Sequence, residues 1–287
     1  MLTGEIDLNK VGILVLAGGD GSRLGFDGPK GAFVVPRFKK SLFEILAEKV
    51  RFKNKHTPMA IMTSLNNHGA TLAFFEKNNF FGLCRDKCHF FMQESTPMST
   101  QDGHMLRFAQ NALSLAPSGN GDLFDAFAKS GVCQLWKKLG IEYVQVAPID
   151  NPLAPVVDVE MLLAHRLYNV SLIVRGIRKR EDESIGSLGR SGNKLCVVEY
   201  TQIKEIAKFL PGESWGYTGL FSMTFNQMLQ LQGRDPIWHK AYKTVQGRTV
   251  IKFEKFIFDY FSGVASFKVL ASDRNKFFDP IKSQQDL

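Results

Sequence analysis

A chain of 287 residues is long enough to bury a substantial core, as one large α/β domain or as one domain with an appendage. It has 44% hydrophobic and 22% charged residues, an ordinary globular composition, and no apolar run reaches the roughly 18–20 residues that cross a bilayer. The net charge of +8 favours an anionic partner. No cluster of basic and aromatic residues forms a nucleic-acid module, so the charge leans toward phosphates without choosing which. On this basis and that of the motifs below, we predict no nucleic-acid partner and no membrane partner.

The cysteines indicate a reducing compartment. Cys84, Cys88, Cys133 and Cys196 are too few and too scattered for a disulfide framework, and acidic residues with no basic leader precede the first apolar run. We therefore expect a cytoplasmic protein. Cys84 and Cys88, followed by His89, superficially suggest zinc, but the sequence lacks a second half of such a site.

The first two-thirds of the chain alternates strand and helix patterns. Strands are predicted at residues 11–17, 59–64, 89–93 and 141–149, and helices at 41–56, 70–77 and 122–139. Ser41 and Glu44 match a capping box at the start of the first helix. This βαβαβ rhythm predicts an α/β fold with a doubly wound, mostly parallel mixed sheet, which binds ligands at the carboxyl ends of its strands.

The pattern changes from residue 172 onwards. Strands at 172–177 and 194–203 flank a loop at 183–193 that is rich in Gly, Ser and Arg, and we expect residues 186–192 to be mobile. The basic run at 175–180 meets acidic residues at 181–183, which is typical of a solvated loop. We predict a small antiparallel extension of the sheet, and one domain over residues 1–287, since no repeat or clear linker divides the chain.

A glycine-rich loop follows the first predicted strand. It reads Leu16-Ala17-Gly18-Gly19-Asp20-Gly21-Ser22-Arg23-Leu24-Gly25 and leads to Pro29-Lys30-Gly31. Glycine lets a backbone turn sharply and approach an anion or a base edge, and Arg23 and Lys30 supply charges that suit phosphate oxygens. Neither the dinucleotide fingerprint nor the Walker loop matches, because Leu24 and the Pro-Lys-Gly sequence stand where those motifs need other residues.

The combination GGxGSRLG and PKG resembles the sugar nucleotidyltransferases, specifically the eukaryotic-type UDP-N-acetylglucosamine pyrophosphorylase group. The resemblance runs from about residue 11 to residue 282 and implies a nucleotide-diphospho-sugar transferase fold. It implies a nucleotide-binding part at about 1–170 and a sugar-binding part at about 171–287. Leu16, Ala17, Gly18 and Gly19 would then wrap the nucleotide, while Arg23 and Lys30 would be catalytic residues for the triphosphate and the leaving pyrophosphate.

Later segments extend the resemblance to the base and the metal. In the family a glutamine reads the uracil edge, and here it matches Gln93, whose carboxamide offers both a donor and an acceptor. A P-x-G-N-G turn over the base matches Gly119 and Asn120. A V-D-N segment matches Asp150, which implies a Mg²⁺ site formed with phosphate oxygens and water.

Segments after residue 196 match the parts of the family sequence that contact the sugar. The V-V-E-Y segment implies sugar contacts for Glu199 and Tyr200, and K-x-E-K-F-x-F-D implies an aromatic wall from Phe256 and Phe258. Those phenylalanines also fit one apolar face of a strand or turn. The F-x-P-[LI]-K segment implies that Lys282 binds the attacking sugar phosphate as a catalytic residue.

Departures from the family's pattern leave the identity of the sugar open. Asp122 follows Gly121 as in the glucose and broad-specificity UDP-sugar pyrophosphorylases, and residues 216–221, which contribute Gly219 to the predicted sugar site, replace an asparagine-rich N-I-A-N-H-F segment. The family also carries further terminal regions, so we expect a minimal catalytic domain or a shortened form.

These observations predict a uridylyltransferase that forms UDP-sugar and pyrophosphate from UTP and a sugar 1-phosphate. N-acetylglucosamine 1-phosphate is slightly favoured. Two alternatives stay open: the same chemistry on glucose or galactose 1-phosphate, and a UDP-sugar-binding regulatory protein without catalysis.

Overall fold

The computed structural model describes residues 6–107, 112–181, 183–199, 214–235, 237–245 and 247–287. In these ranges the strands are β1 Val11–Leu16, β2 Val34–Val35, β3 Lys40–Ser41, β4 Met59–Thr63, β5 Cys88–Met92, β6 Ser95–Pro97, β7 Ser99–Thr100, β8 Leu115–Pro117, β9 Tyr143–Pro148, β10 Leu172–Arg178, β11 Ser187–Ser191, β12 Lys194–Val198, β13 Trp215–Thr224, β14 His239–Val245, β15 Arg248–Glu254 and β16 Phe267–Ser272. The α-helices are α1 Leu42–Asn54, α2 His68–Lys77, α3 Leu123–Lys129, α4 Val132–Lys138, α5 Val159–Tyr168, α6 Phe225–Gln230 and α7 Arg274–Phe277.

One mixed sheet organises the described residues. Its order is β12-β11-β13-β9-β1-β4-β5, and β10 joins through β13 and carries β16. Strands β9, β1, β4 and β5 are parallel, whereas β13 runs antiparallel to both β9 and β10. The predicted α/β fold, with a parallel centre and an antiparallel extension, is confirmed.

Strand β1 is apolar along its length because both faces of the sheet are covered. Its side chains alternate, so that Ile13 and Val15 pack with Phe43 of α1 while Leu14 packs with Trp136 of α4 on the other face. Burial on both sides is what a doubly wound sheet requires, and it places the end of β1 at the centre of the sheet's carboxyl edge.

Local signals set the helix boundaries in two places. The Ser41 side chain accepts a hydrogen bond of 3.1 Å from the Glu44 N–H, as the predicted cap requires. The single helix predicted over 122–139 is wrong, because Gly131 adopts φ +79° between α3 and α4. A left-handed residue ends one helix and lets the next begin in a new direction. No helix among the described residues is long and apolar enough to cross a membrane.

Two predictions for the second half need correction. Within the predicted loop at 183–193, residues 187–191 form β11, which pairs antiparallel with β12. The solvated-loop interpretation of the 175–180 run is also wrong at Arg175, which lies in β10, is 1% exposed and forms ion pairs with Asp158 and Glu160. Backbone pairing with β12 makes residues 187–191 a strand, and the buried partner Asp158 lets Arg175 lie inside the protein, although both segments have a polar composition.

A smaller sheet lies beside the main one. Strands β14 and β15 form an antiparallel hairpin, and β15 also pairs with the short β7. The chain returns from this hairpin to residues 255–263, a run of buried aromatic residues that packs into the main core.

Candidate active site at the carboxyl edge of the sheet

The glycine turn after β1 is held by a side chain from the neighbouring strand's end. Asn67 donates from Nδ2 to the Ala17 and Gly19 carbonyl oxygens, at 3.0 and 3.1 Å, and its own Oδ1 accepts from the Ser64 N–H. The Lys30 N–H donates to the same Gly19 carbonyl at 3.1 Å. The sequence analysis did not identify Asn67. It could have been found as a polar residue shortly after β4, because β4 ends at the same edge of the sheet as β1.

Gln93 bridges the two turns that were predicted to bind the nucleotide. Its Oε1 accepts from the Gly119 N–H at 3.0 Å, and a Cβ placed on Gly18 would lie 1.9 Å from its Nε2. Gly18 therefore has to be glycine for Gln93 to stay in place, and Gly119, at φ +96°, is in a region that favours glycine. Gln93 is 7% exposed, so its amide is fixed by protein contacts.

The second turn is anchored to the segment after β15. Gly121 donates its N–H to the Lys255 carbonyl at 2.9 Å, and Lys255 donates its N–H to Ser118 at 2.7 Å. The Asp122 and Lys255 side chains form a buried ion pair. Asn120 accepts from the Ile257 N–H through Oδ1 at 3.0 Å, so this oxygen holds the turn. Lys255 was not singled out from the sequence, because its partner lies far away along the chain.

The other predicted phosphate- and metal-binding residues all lie within electrostatic reach of Lys30. Burial lowers the pKa of Lys30; the nearby Asp150 opposes that shift, and Arg23 and Lys282 add to it. Burial raises the pKa of Asp150, and Lys30 and Lys282 counteract that change. Arg23 and Lys282 are exposed, while Lys30 and Asp150 are half-buried. Arg23, Lys30 and Lys282 outnumber Asp150 and Asp286, the two carboxylates that act on Lys30, so the site has an excess of positive charge suited to a polyphosphate.

The segment that carries Lys282 is attached to the end of β9. The Ile281 N–H donates to the Asp150 carbonyl at 2.8 Å, and Asn151 donates from Nδ2 to Phe277 at 2.7 Å. The Phe277 ring lies under the Arg175 guanidinium, whose carbon is 4.1 Å from the ring centroid. Lys282 also lines an open cleft of about 480 Å³. These contacts bring residue 282 to the strand end despite their separation in sequence.

The predicted sugar residues lie around β13. Gly219 has φ +82°, and a Cβ there would be 3.0 Å from the Pro148 side chain, just before the loop that carries Asp150. Phe258 is 6% exposed and packs in the core against Tyr217, whereas Phe256 is half-buried and stacks on Phe258. Phe258 thus has the core contacts that the alternative interpretation anticipated.

The remaining predicted sugar residues follow β12. Glu199 is half-buried, near Gly186, and Tyr200 lies outside the described residues.

The described residues contain no group of three or more His, Cys, Asp or Glu side chains placed to hold a metal ion. Asp150 nevertheless fits the type of site that Mg²⁺ uses beside nucleotides, in which one or two carboxylates act together with phosphate oxygens and water. A separate cavity of about 550 Å³, between α1 and residues 155–157, is lined by none of the predicted site residues.

Comparison with known proteins places this geometry in a family. The family profile described as UTP–glucose-1-phosphate uridylyltransferase matches residues 3–287. The chain belongs to the UTP–glucose-1-phosphate uridylyltransferase family.

Individual relatives share both the sequence and the fold. A UDP-N-acetylglucosamine pyrophosphorylase from Saccharomyces cerevisiae is 31% identical over 97% of this chain, and a UDP-N-acetylglucosamine diphosphorylase from Arabidopsis thaliana is 30% identical over 96%. The crystal structure of a Trypanosoma brucei uridine diphosphate N-acetylglucosamine pyrophosphorylase with an inhibitor is 32% identical over 96% of this chain, with a TM-score of 0.86. The chain spans 65% of the yeast protein, 61% of the Arabidopsis protein and 62% of the trypanosome chain.

Proposed function

We propose that this family member transfers a uridylyl group from UTP to a sugar 1-phosphate, forming UDP-sugar and pyrophosphate. The observation that carries the proposal is the meeting of Arg23, Lys30, Asp150 and Lys282 beside the turns joined by Gln93. Gln93 would read the uracil edge, and the cations would hold the phosphates. The family membership and the relatives' names support the same reaction class.

The chemical step needs positioning and charge neutralisation and little covalent help. An oxygen of the sugar phosphate attacks the α-phosphorus of UTP; the new P–O bond forms as the bond to the β-phosphate oxygen breaks, and pyrophosphate leaves with the electron pair. The nucleophile is already an anion, so no general base is required. Lys282 would hold the attacking phosphate, and Arg23 and Lys30 would stabilise the triphosphate and the leaving group.

We propose Mg²⁺ as the cofactor, held by Asp150 together with substrate oxygens. Bound there, the ion would neutralise charge at the α-phosphate. The burial that raises the pKa of Asp150 makes an unpaired carboxylate costly, and a divalent cation would offset that cost. We also place the protein in the cytoplasm, a proposal supported by the free thiols of Cys84, Cys88, Cys133 and Cys196.

N-acetylglucosamine 1-phosphate is the sugar phosphate we favour, because the relatives named above carry UDP-N-acetylglucosamine in their names. Gly219 supports the alternative of glucose or galactose 1-phosphate, because it offers no side-chain amide for an acetamido group. A pyrophosphate-release assay that crosses UTP and other nucleoside triphosphates with a panel of sugar 1-phosphates tests both claims. UTP-dependent release is expected. UTP binding without release would favour the regulatory alternative.

Lys30→Ala should lower kcat on the order of 10²–10³-fold, because the leaving pyrophosphate loses a charge partner. The matched control is Lys53→Ala, an exposed lysine of α1, which should retain wild-type turnover. Chelation should abolish release and added Mg²⁺ should restore it. Turnover of Lys30→Ala near the wild-type rate would remove this residue from the scheme.

A further inference from the structure

Lys49 of α1 is hydrogen-bonded to the loop that follows β9. Its Nζ donates to the Pro152 carbonyl oxygen and, at 2.9 Å, to the Ala154 carbonyl oxygen. These partners lie 103 and 105 positions further along the chain, so the contact exists only in the folded protein. The loop begins at Asp150, and the lysine therefore holds the backbone immediately after the carboxylate that we propose to bind the metal ion.

The Lys49 amine lies in a largely apolar place. The side chain is half-buried, and burial lowers its pKa to about 8. Its neighbours around a small cavity between α1 and the end of β9 include Ile45, Leu46, Pro148 and Ile149. A buried amine is costly unless its N–H groups find acceptors, so the two loop carbonyl oxygens offset the cost of placing it there.

The same loop is fastened to the segment that carries Lys282. Asn151 donates from Nδ2 to the Phe277 carbonyl at 2.7 Å, and its Oδ1 accepts from the Asp279 N–H at 3.1 Å. That Oδ1 also accepts from the Leu153 N–H at 3.2 Å, within the stretch that the lysine holds. The loop at 150–154 and the segment at 277–281 thus form one hydrogen-bonded unit.

The other end of α1 packs beside Lys30. A Cβ added to Gly31 would lie 2.3 Å from the ring of Phe43, which is in the first turn of α1. Six residues separate Phe43 from Lys49, a rise of about 9 Å along the helix axis. One helix therefore contacts the Lys30 turn at its start and the loop after Asp150 one to two turns later.

We propose that Lys49 is a positioning residue for the uridylyl transfer, because its hydrogen bonds to residues 152–154 set where Asp150 and the Lys282 segment lie relative to the Lys30 turn. The proposal rests on the proposed function, which assigns Asp150 to the metal ion and Lys282 to the attacking phosphate. Lys49 acts through the loop, so its loss should affect the metal ion and the sugar phosphate more than the uracil end of UTP.

Steady-state kinetics on the full chain, with Mg²⁺ and each substrate varied in turn, test this role. Lys49→Met keeps an apolar stem and removes both hydrogen bonds. It should lower kcat about tenfold and raise about fivefold both the KM for the sugar 1-phosphate and the Mg²⁺ concentration at half-maximal rate, as expected for misplaced reacting groups. UTP affinity without Mg²⁺, measured by calorimetry, should stay within about twofold of wild type, because other contacts hold the turns joined by Gln93.

Two further variants and a control accompany Lys49→Met. Lys49→Arg keeps the charge and offers N–H groups to both carbonyl oxygens, so it should recover most of the lost rate. Lys49→Gln, which can satisfy the carbonyl oxygens only in part, should show the same changes to a smaller degree, and it carries the test if Lys49→Met does not fold. The matched control is Lys53→Met, an exposed lysine of the same helix that lines the same cavity of about 550 Å³ and should behave as wild type.

Amide hydrogen exchange gives a readout that does not depend on turnover. Exchange at residues 153–154 and 279–281 should be faster in Lys49→Met than in wild type and in Lys53→Met, because the loop loses its attachment to α1. Wild-type exchange at these residues would overturn the proposal even if the rate fell.

The kinetic results can also overturn it. Unchanged constants in Lys49→Met would exclude the role, and a loss of UTP affinity as large as the loss of rate would mean that the whole nucleotide site is disturbed. Wild-type protein that releases no pyrophosphate from UTP with any sugar 1-phosphate would contradict the proposed function, and hydrogen exchange would then still decide whether Lys49 holds the loop.

Discussion

At the scale of residues, Gly18 lies so close to the Gln93 carboxamide that there is no room for a side chain between them. A Cβ at this position would lie 1.9 Å from Gln93 Nε2 and 3.2 Å from its carboxamide carbon. Gln93 is also bonded through Oε1 to the Gly119 N–H, so it cannot move without releasing the second turn. Gln93 thus couples the two turns that we propose to bind the nucleotide.

Gly18→Ala should weaken UTP binding by about tenfold or more, because the added methyl displaces Gln93 and leaves buried polar groups unpaired. The loss should appear equally for UMP and UTP, since both carry the uracil. Equilibrium titration of both nucleotides checks this. Gly69→Ala, where an added Cβ meets nothing within 4 Å, is the control for an inserted methyl. Undiminished UMP affinity in Gly18→Ala would contradict the Gln93 assignment.

At the scale of elements, the turn at 119–122 and the strand β15 depend on one another. The Asp122 side chain is fully buried and accepts the Glu94 N–H at 2.5 Å, and it pairs with Lys255, which follows β15. A buried ion pair contributes little net stability compared with apolar residues, but loss of one partner leaves an uncompensated charge. This pair therefore fixes the turn at 119–122 against the aromatic segment at 255–263.

Lys255→Met should lower the free energy of unfolding by about 3–5 kcal/mol, because Asp122 would remain buried without a counter-charge. The double variant Asp122→Asn/Lys255→Met should lose less than the sum of the two single variants. Chemical denaturation of the four proteins measures this coupling.

The exposed pair Lys10–Glu142 offers a comparison, and its disruption should change stability far less. If the losses of unfolding free energy in the two single variants add up to the loss in the double variant, the Asp122 and Lys255 side chains are not energetically coupled.

At the scale of the whole molecule, several of the positive charges are concentrated at the candidate active site. The net charge of +8 belongs to the entire chain, yet Arg23 and Lys282 both lie within electrostatic reach of Lys30 at one edge of the sheet. Such a cluster attracts polyphosphates over a distance comparable with the Debye length.

UTP affinity should therefore fall about tenfold as salt rises from about 0.05 M to about 0.5 M, because screening weakens the attraction between the cation cluster and the triphosphate. Uridine, which lacks phosphate, should bind equally at both salt concentrations. Titrations at several ionic strengths measure the two slopes. Equal slopes for UTP and uridine would mean that the cluster does not contact the triphosphate.

Local patterns predicted the parts of the fold that depend on near neighbours in sequence. The apolar run of β1 and the Ser41 cap were both predicted correctly, because a strand buried on both faces and a helix start each depend on a few adjacent residues. The family resemblance added the proposed roles of Gln93 and Asp150, which spacing alone would not have given.

Long-range contacts account for what the sequence left unpredicted or predicted wrongly. Arg175 was interpreted as solvated because its run is basic, but Asp158 and the Phe277 ring bury it. Strand β11 lies in a segment whose composition suggested a loop, and backbone pairing with β12 decided otherwise.

The sequence by itself determined the α/β class, and it located the glycine-rich loop and the charged residues that we propose to bind the phosphates. Only the tertiary structure decided that Lys255 pairs with Asp122 and that Asn67 donates to the Ala17 and Gly19 carbonyl oxygens. The physical reason is that charge pairing and burial act between atoms close in space, and the chain brings these residues together only when the sheet and the hairpin have formed.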